Sequence, residues 1–169
     1  GMNWLAAPPG CAERTPCDLA ALVRDLVGDF ELLAAEEQRR LWIKSSRSAW
    51  VLADPRHLRQ IIHSLLTNAL KHGQGDFAVR VRSQGQRAVL FVANRVEFCS
   101  LDHERTLGLG LRVVSVLLHL DPQVHFQRRR GLNYHAVRLT VPVTRETIPA
   151  PAAAPAAASG DRPDENFFI

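Results

Sequence analysis

Apolar residues recur every three or four positions in three stretches of the chain, and each stretch predicts an amphipathic helix. The first stretch runs to about residue 38 and follows residues 15–18 (TPCD), which resemble a capping box with proline in the first turn. The second stretch covers residues 54–73, where Asp54 can cap the start and Gly73 is a natural stop. The third covers residues 109–120 and is ended by Pro122.

Alternating or continuous apolar runs predict three pairs of strands between and after these helices. The predicted strands are residues 41–45, 49–53, 77–82, 88–92, 124–128 and 134–141. Residues 95–106 have no clear period and predict a loop. This order of elements predicts an α+β fold, with a mixed sheet that carries its helices on one face.

Composition indicates one folded domain with flanking segments. The chain has 169 residues, of which 46% are hydrophobic and 22% charged, and this is enough for one sizeable core. Residues 1–14 are predicted to be a tag remnant and linker, residues 15–143 the domain, and residues 144–169 a disordered tail rich in Ala and Pro. No run is apolar enough to span a bilayer, and no signal peptide is visible.

Charge and cysteine usage narrow the possible environments and partners. Three cysteines without metal-like spacing favour a reducing, cytoplasmic location over a disulfide framework. The formal net charge is +4, and the one dense basic run is Arg128-Arg129-Arg130. We interpret this run as a solvated hairpin tip, because no aromatic residues are interleaved with it to stack bases. Nucleic acid is therefore not a predicted partner.

The helix predicted for residues 54–73 has a polar stripe that core packing does not explain. Gln60, Ser64, Asn68 and Lys71 recur three or four positions apart, beside the apolar stripe. An amide oxygen is a hard ligand that suits Mg²⁺, and a lysine ammonium binds phosphate oxygens. The stripe therefore predicts a site for a metal-bound polyphosphate, with an ordinary solvated helix face as the alternative.

The sequence TNALKHG at residues 67–73 resembles the Asn-box helix of the GHKL ATPases, and specifically of the ATP-binding catalytic domain of sensor histidine kinases. The resemblance covers roughly residues 15–142 and implies a two-layer α/β sandwich. It implies that Asn68 ligates Mg²⁺ and that Lys71 contacts the phosphates of ATP. His72, beside Lys71, could also approach the phosphates, although a plain helix-end residue is equally compatible with its position.

A second motif is TLGLGL at residues 106–111, which resembles the second glycine box of the same family. The resemblance implies that Gly108, Leu109, Gly110 and Leu111 wrap the phosphates, and backbone N–H groups at a helix start suit that role. Thr106 stands where the first glycine of the box is usual.

A third motif departs from the family pattern. Asn94 aligns with the aspartate that reads adenine in the family, but both glycines that should follow are missing. His135 and Ala136 stand where a threonine near adenine is usual, and the segment between Asn94 and Gly108, which would be the ATP lid, is short. We therefore expect weak ATP affinity and fast exchange. The alternative for Asn94 is a turn residue at the end of a strand.

The resemblance also implies which reaction the domain serves. ATP-hydrolysing members carry a glutamate at the position of Ser64, and a serine is not a base at neutral pH. A histidine kinase needs no such base, because the histidine that accepts the phosphoryl group is itself the nucleophile. We expect a catalytic fragment that uses ATP and Mg²⁺, with no catalytic residue of its own assigned. Its partners would be an upstream phosphoacceptor and dimerisation domain and, indirectly, a response regulator.

We expect this fragment to be cytoplasmic and to make no membrane contact, within a full-length protein that can carry a membrane anchor. Two alternatives remain open. One is a degenerate GHKL module that binds no nucleotide and acts as a protein-interaction scaffold. The other is an anti-sigma-type serine kinase, which fits residues 68–73 but conflicts with Ser64.

Overall fold

The computed structural model describes residues 12–96 and 109–144 of the chain. The elements in these ranges are, in chain order, β1 (Thr15–Asp18), α1 (Leu19–Glu36), β2 (Leu41–Ser45), β3 (Trp50–Ala53), α2 (Pro55–His72), β4 (Gln74–Gln84), β5 (Arg87–Arg95), α3 (Leu109–Leu120), β6 (His125–Arg130) and β7 (Tyr134–Pro142). No helix within these two ranges is long and apolar enough to cross a membrane. The predicted lid and the predicted tail from residue 145 onward lie outside the described residues.

The start of α1 differs from the predicted capping box, and that prediction is wrong. Thr15–Asp18 forms β1, which pairs antiparallel with β3, and Asp18 alone caps the helix. Its Oδ1 atom accepts hydrogen bonds from the Ala20 N–H (3.0 Å) and the Ala49 N–H (2.8 Å). The cap therefore also fixes the start of β3. Nothing local in TPCD shows a strand, because the partner strand is more than 30 residues downstream.

The helix predicted for residues 54–73 is confirmed at both ends. Asp54 caps it by accepting a hydrogen bond from the Arg56 N–H (3.0 Å), and Pro55 occupies the first turn. Gly73 is the C-cap, and its N–H donates to the Ala69 carbonyl (3.0 Å). Both ends were predictable because capping depends on residues only a few positions away.

The five-stranded sheet is mixed and has the order β2-β4-β5-β7-β6. β2 pairs parallel with β4, and the other neighbours are antiparallel. β1 and β3 form a separate two-stranded sheet, which an isolated bridge between Val51 and Val143 joins to the end of β7. Because β2 and β3 join different sheets, these consecutive strands do not form a hairpin.

The core lies between the helices and one face of the five-stranded sheet. Alternate residues of the central strands share this core with the apolar stripes of the helices, as expected for a sheet covered on one side. The sheet residues in it are Phe77, Val79, Val81, Ala88, Leu90, Val92, Val137, Leu139 and Val141. The predicted α+β fold, with helices on one face of a mixed sheet, is confirmed.

The segment before β1 contacts two helices, although residues 1–14 were predicted to be a linker. The Glu13 N–H donates to Asp54 Oδ2 (3.0 Å), and the Arg14 guanidinium pairs with Asp121 (2.8 Å), which follows the end of α3. A side-chain hydrogen bond from Arg56, together with the backbone N–H groups of Glu13 and Arg56, holds the pKa of Asp54 well below its usual range despite burial. Residues 13 and 14 are thus attached to the domain, whereas residues 1–11 lie outside the described part.

Candidate functional site

The polar stripe of α2 runs from a half-buried middle to an exposed end. Ser64 and Asn68 are half-buried, and Lys71 and His72 are exposed in the last turn of the helix. Lys71 and His72 are three and four residues after Asn68, so all three side chains lie on one side of the helix. This side of the helix therefore presents one amide and two basic groups together.

The end of α2 lies against the end of β5 because residue 73 is glycine. A Cβ atom built on Gly73 would lie 2.8 Å from Asn94 Nδ2 and closer still to the Ala69 carbonyl oxygen. Real Cβ atoms do not approach neighbours that closely, so only glycine permits this contact. Asn94 is buried at 4% exposure, and its Nδ2 donates to the Arg95 carbonyl (3.2 Å). The structure thereby brings together the Asn68 helix and Asn94, which are far apart in sequence.

Arg39 holds this helix end in place, and nothing in the local sequence indicates that role. Its Nη1 donates to the Leu70 carbonyl (2.6 Å) and its Nη2 to the Ala69 carbonyl (3.3 Å), while Nε donates to the Gly75 carbonyl. The guanidinium also lies 5.2 Å from the centre of the Phe77 ring. A cation at the last carbonyls stabilises a helix C-terminus. Arg39 is therefore a positioning residue for α2 from about 30 residues away.

β5 does not turn after Asn94. Arg95 still pairs with Tyr134 in β7, and the Val96 N–H donates to the Asn133 carbonyl (3.0 Å). The two glycines that the family pattern places here would let the chain turn away from the sheet. Without these glycines, the backbone of β5 continues beside residues 133 and 134 through Arg95 and Val96.

The start of β7 places a neutral histidine beside Asn94. His135 pairs with Asn94 on one side and with Arg130 of β6 on the other, so these side chains share a face of the sheet. Burial lowers the pKa of His135 to about 4, with smaller contributions from Arg128, Arg130 and His72. At neutral pH the imidazole is therefore uncharged and offers one donor and one acceptor nitrogen.

The second glycine motif is only partly within the described residues. Gly108 lies outside them, and Leu109 and Gly110 form the first turn of α3. The Leu111 side chain is buried at 8% exposure in the core between the helices and the sheet. A contact between Leu111 and a phosphate would therefore use its backbone N–H rather than its side chain.

The residues around this region suit a nucleotide. Asn94 and His135 are uncharged groups with donor and acceptor atoms, which can pair with the edge of a base. Lys71 and His72 lie in the last turn of α2. The N-terminal turn of α3 has backbone N–H groups that can bind phosphate. The described ranges contain no cluster of three His, Cys, Asp or Glu residues that could hold a metal ion. Any Mg²⁺ here would thus need phosphate and water oxygens beside the Asn68 amide.

Neither the protein-family models nor the curated proteins include a match to this sequence. Solved structures do match. The catalytic domain of the histidine kinase ThkA, in a nucleotide-free form, is 18% identical with a TM-score of 0.68, and the match covers 79% of this chain and 99% of that one. The chain has the fold of a histidine kinase catalytic domain.

Two further histidine kinases support the same fold. AdeS from Acinetobacter baumannii is 17% identical with a TM-score of 0.63, over 79% of this chain and 68% of that one. Full-length ShkA, solved in complex with AMPPNP, is 23% identical with a TM-score of 0.62, over 77% of this chain and 31% of that one. The resemblance inferred from residues 67–73 and 106–111 thus agrees with the three-dimensional fold.

Proposed function

We propose that this chain is the ATP-binding catalytic domain of a sensor histidine kinase, and that it presents Mg-ATP for phosphoryl transfer to a histidine on a separate phosphoacceptor domain. The observation that carries the proposal is the close approach at Gly73, which sets the Asn68 helix against Asn94 at the end of β5. Groups that can pair with a base and groups that can bind phosphate then lie on either side of the contact between α2 and β5.

The individual roles follow from the chemistry of each side chain. Asn94, with the neutral His135 beside it, would read the adenine edge, and Lys71 with His72 would bind phosphate oxygens. The Asn68 amide oxygen would ligate Mg²⁺, which supplies charge neutralisation for the transferred phosphoryl group. Gly108, Leu109, Gly110 and Leu111 would contribute backbone N–H groups to the phosphates at the start of α3.

Ser64 favours transfer to histidine over hydrolysis. It stands one turn before Asn68, where a water-activating carboxylate would have to lie, and it is half-buried on the same stripe. The proposal therefore places the chain in a two-component system in the cytoplasm. Its direct partner is the phosphoacceptor and dimerisation domain, and a response regulator receives the phosphoryl group afterwards.

A second candidate function is a nucleotide-free interaction scaffold with the same fold. The observation that favours it is the continuation of β5 through Arg95 and Val96, where a glycine-containing turn would open the base pocket. In that case the chain would retain the kinase fold without binding ATP.

The deciding experiment is calorimetric titration of Mg-ATP into the full chain, the Asn68→Ala variant and the Gln60→Ala control. Gln60 lies on the same polar stripe two turns earlier and is exposed, so its variant makes an equally small change outside the site. We expect binding that requires Mg²⁺ in the wild type and the control, and none in Asn68→Ala, with all three proteins folded. Equal binding by Asn68→Ala would refute the Mg²⁺ assignment. No binding by the wild type at millimolar Mg-ATP would favour the scaffold.

A further inference from the structure

The face of the five-stranded sheet that points away from the core is strongly basic. Residues directly opposite each other on paired strands share a face, and the register places one set of Lys and Arg side chains on the side opposite the core residues. We call this set the basic face. It consists of Lys44, Arg80, Arg82, Arg87, Arg95, Arg129 and Arg138.

Little negative charge accompanies these cations. Asp76 is the only carboxylate in the sequences of the five strands. It accepts hydrogen bonds from the Arg40 N–H (2.8 Å) and from Trp42 Nε1 (3.4 Å). The whole chain has a formal net charge of only +4. The residues outside the sheet are therefore net acidic, and the molecule is electrically polarised.

Two arginines of the basic face are held in fixed positions by one aromatic ring. The guanidiniums of Arg82 in β4 and Arg138 in β7 lie 5.5 Å and 5.7 Å from the centre of the Phe91 ring in β5, the strand between them. The Nε atoms of both arginines are buried without a hydrogen-bond partner, and Arg82 Nη2 donates a hydrogen bond to Gln84 Oε1 (3.3 Å). Stacking limits the freedom of the guanidinium groups, so binding an anion there costs less conformational entropy.

This geometry fits a pair of carboxylates. The guanidiniums of Arg82 and Arg138 lie 5.5 Å and 5.7 Å from the same ring centre, so they are at most about 11 Å apart. Two carboxylates three residues apart in an extended or polyproline-like segment are separated by about 9–10 Å, which is within that limit. Arginine binds carboxylates with two parallel hydrogen bonds, so such a segment could engage both groups at once.

The chain itself contains a segment with that spacing. Residues 161–165 (DRPDE) place Asp161 and Asp164 three positions apart around a proline, and with Glu165 and Arg162 the segment carries three negative charges and one positive charge. This segment lies outside the described residues, but its point of departure is known. The Val143 N–H donates to the Gln86 carbonyl (2.9 Å) and the Thr144 N–H to the Trp50 carbonyl (3.3 Å), so the chain leaves β7 at the end of the sheet, between the β4–β5 turn and β3.

The connecting residues are long enough for the segment to reach that face. Residues 145–160 are 16 residues rich in Ala and Pro, and a linker of that length spans from roughly 20 Å as a coil to about 50 Å when extended. Five strands side by side span about 20 Å, so every part of the basic face is within reach. Tethering also gives the segment a local concentration in the millimolar range, where weak charge pairs suffice for occupancy.

We propose that the acidic segment 161–165 docks on the basic face, with Asp161 and Asp164 bound to Arg82 and Arg138. This intramolecular contact offsets part of the positive charge of the basic face and competes with other acidic partners for it. The docking is independent of the nucleotide, because the basic face is the side of the sheet opposite the α2 helix.

The test compares amide NMR spectra of the full chain with those of a variant whose acidic segment is neutralised by Asp161→Asn, Asp164→Asn and Glu165→Gln. These substitutions lie outside the described fold, so they should leave it folded. We expect shift differences concentrated in β4, β5 and β7, and we expect the differences to disappear in high salt because exposed charge pairs are screened. Spectra that differ only within the substituted segment would overturn the proposal.

A second measurement identifies the occupant. A peptide of residues 159–169 is titrated into the neutralised variant, with and without Arg82→Gln and Arg138→Gln. We expect the peptide to reproduce the shifts, and we expect the double arginine variant to bind it at least roughly tenfold more weakly. Arg59→Gln, which removes the same charge from the helix layer, should bind the peptide normally. If a short thymidine oligonucleotide shifts these strands and the peptide does not, the surface is a nucleic-acid site and the proposed occupant is wrong.

Discussion

His135 is a half-buried base close to Arg128 and Arg130, so its protonation depends on the packing around the candidate site. Burial is the largest cause of its lowered pKa, and Arg128, Arg130 and His72 add to it. These three neighbours belong to the β6 strand and to the end of α2, so the uncharged state of His135 depends on how these elements pack. A protonated His135 would add a positive charge beside His72, which we expect to bind phosphate.

We expect acid to destabilise the wild type more than a His135→Gln variant. The pKa of His135 is about 4 in the folded chain and near 6.5 when unfolded, so below 6.5 the unfolded chain binds the proton more readily. The stability associated with neutral His135 is complete above pH 6.5 and is lost as the pH falls toward 4. Urea midpoints across this range should fall more steeply for the wild type than for His135→Gln. His125→Gln, at an exposed position of β6, should follow the wild type, and parallel curves for all three would contradict the prediction.

At the scale of elements, one glycine lies inside the long helix α1 and another caps the C-terminus of the long helix α2, and the surroundings of these two glycines differ. A Cβ atom at Gly28 in α1 would meet nothing within 4 Å, whereas one at Gly73 would meet Asn94 and the Ala69 carbonyl of α2. A glycine-to-alanine substitution therefore tests helix propensity at Gly28, and it tests the packing of α2 against β5 at Gly73.

We expect Gly28→Ala to stabilise the chain by about 0.5–1 kcal/mol, because alanine loses less conformational freedom in a helix. Gly73→Ala should destabilise it by about 1–3 kcal/mol, because the added methyl group forces the helix end away from β5. Urea denaturation of the two variants measures both effects. Two changes of the same sign would show that α2 does not rest on Asn94 as described.

The elements that sequence could predict are those whose causes are local. The α2 helix carries its cap, its stop and its apolar stripe within residues 54–73, and each of these was confirmed. β1 was missed because its strand character comes only from pairing with β3. The sequence analysis missed two further contacts for the same reason, since each joins elements that are distant in sequence. They are the hydrogen bonds from Arg39 to the end of α2 and the stacking of Arg82 and Arg138 on Phe91. The roles of Asn68, Lys71 and Asn94 remain predictions.

At the scale of the whole molecule, the segment before β1 is attached to both helices that flank the candidate site. Its Glu13 N–H binds the cap of α2 and its Arg14 side chain binds Asp121 at the end of α3. These contacts hold the N-terminal end of α2 and the C-terminal end of α3, whereas the candidate site residues lie at the C-terminal end of α2 and in the N-terminal turn of α3. The upstream segment is therefore attached to the two helices at the ends remote from the site.

The ion pair of Arg14 should be the stronger of the two side-chain contacts in this segment. Asp121 is nearly buried, with a side-chain exposure of 5%, so removing its partner leaves a carboxylate without compensation. We expect Arg14→Ala to destabilise the chain by about 1–3 kcal/mol and to increase hydrogen exchange at the end of α3. Glu13→Ala is the matched control. The Glu13 carboxylate pairs with Arg56, and both side chains are more than half exposed (63% and 68%). The substitution keeps the backbone hydrogen bond from Glu13 to Asp54. An exposed pair of this kind contributes at most about 1 kcal/mol. Equal exchange at α3 in both variants would mean that the upstream segment is coupled to α2 alone.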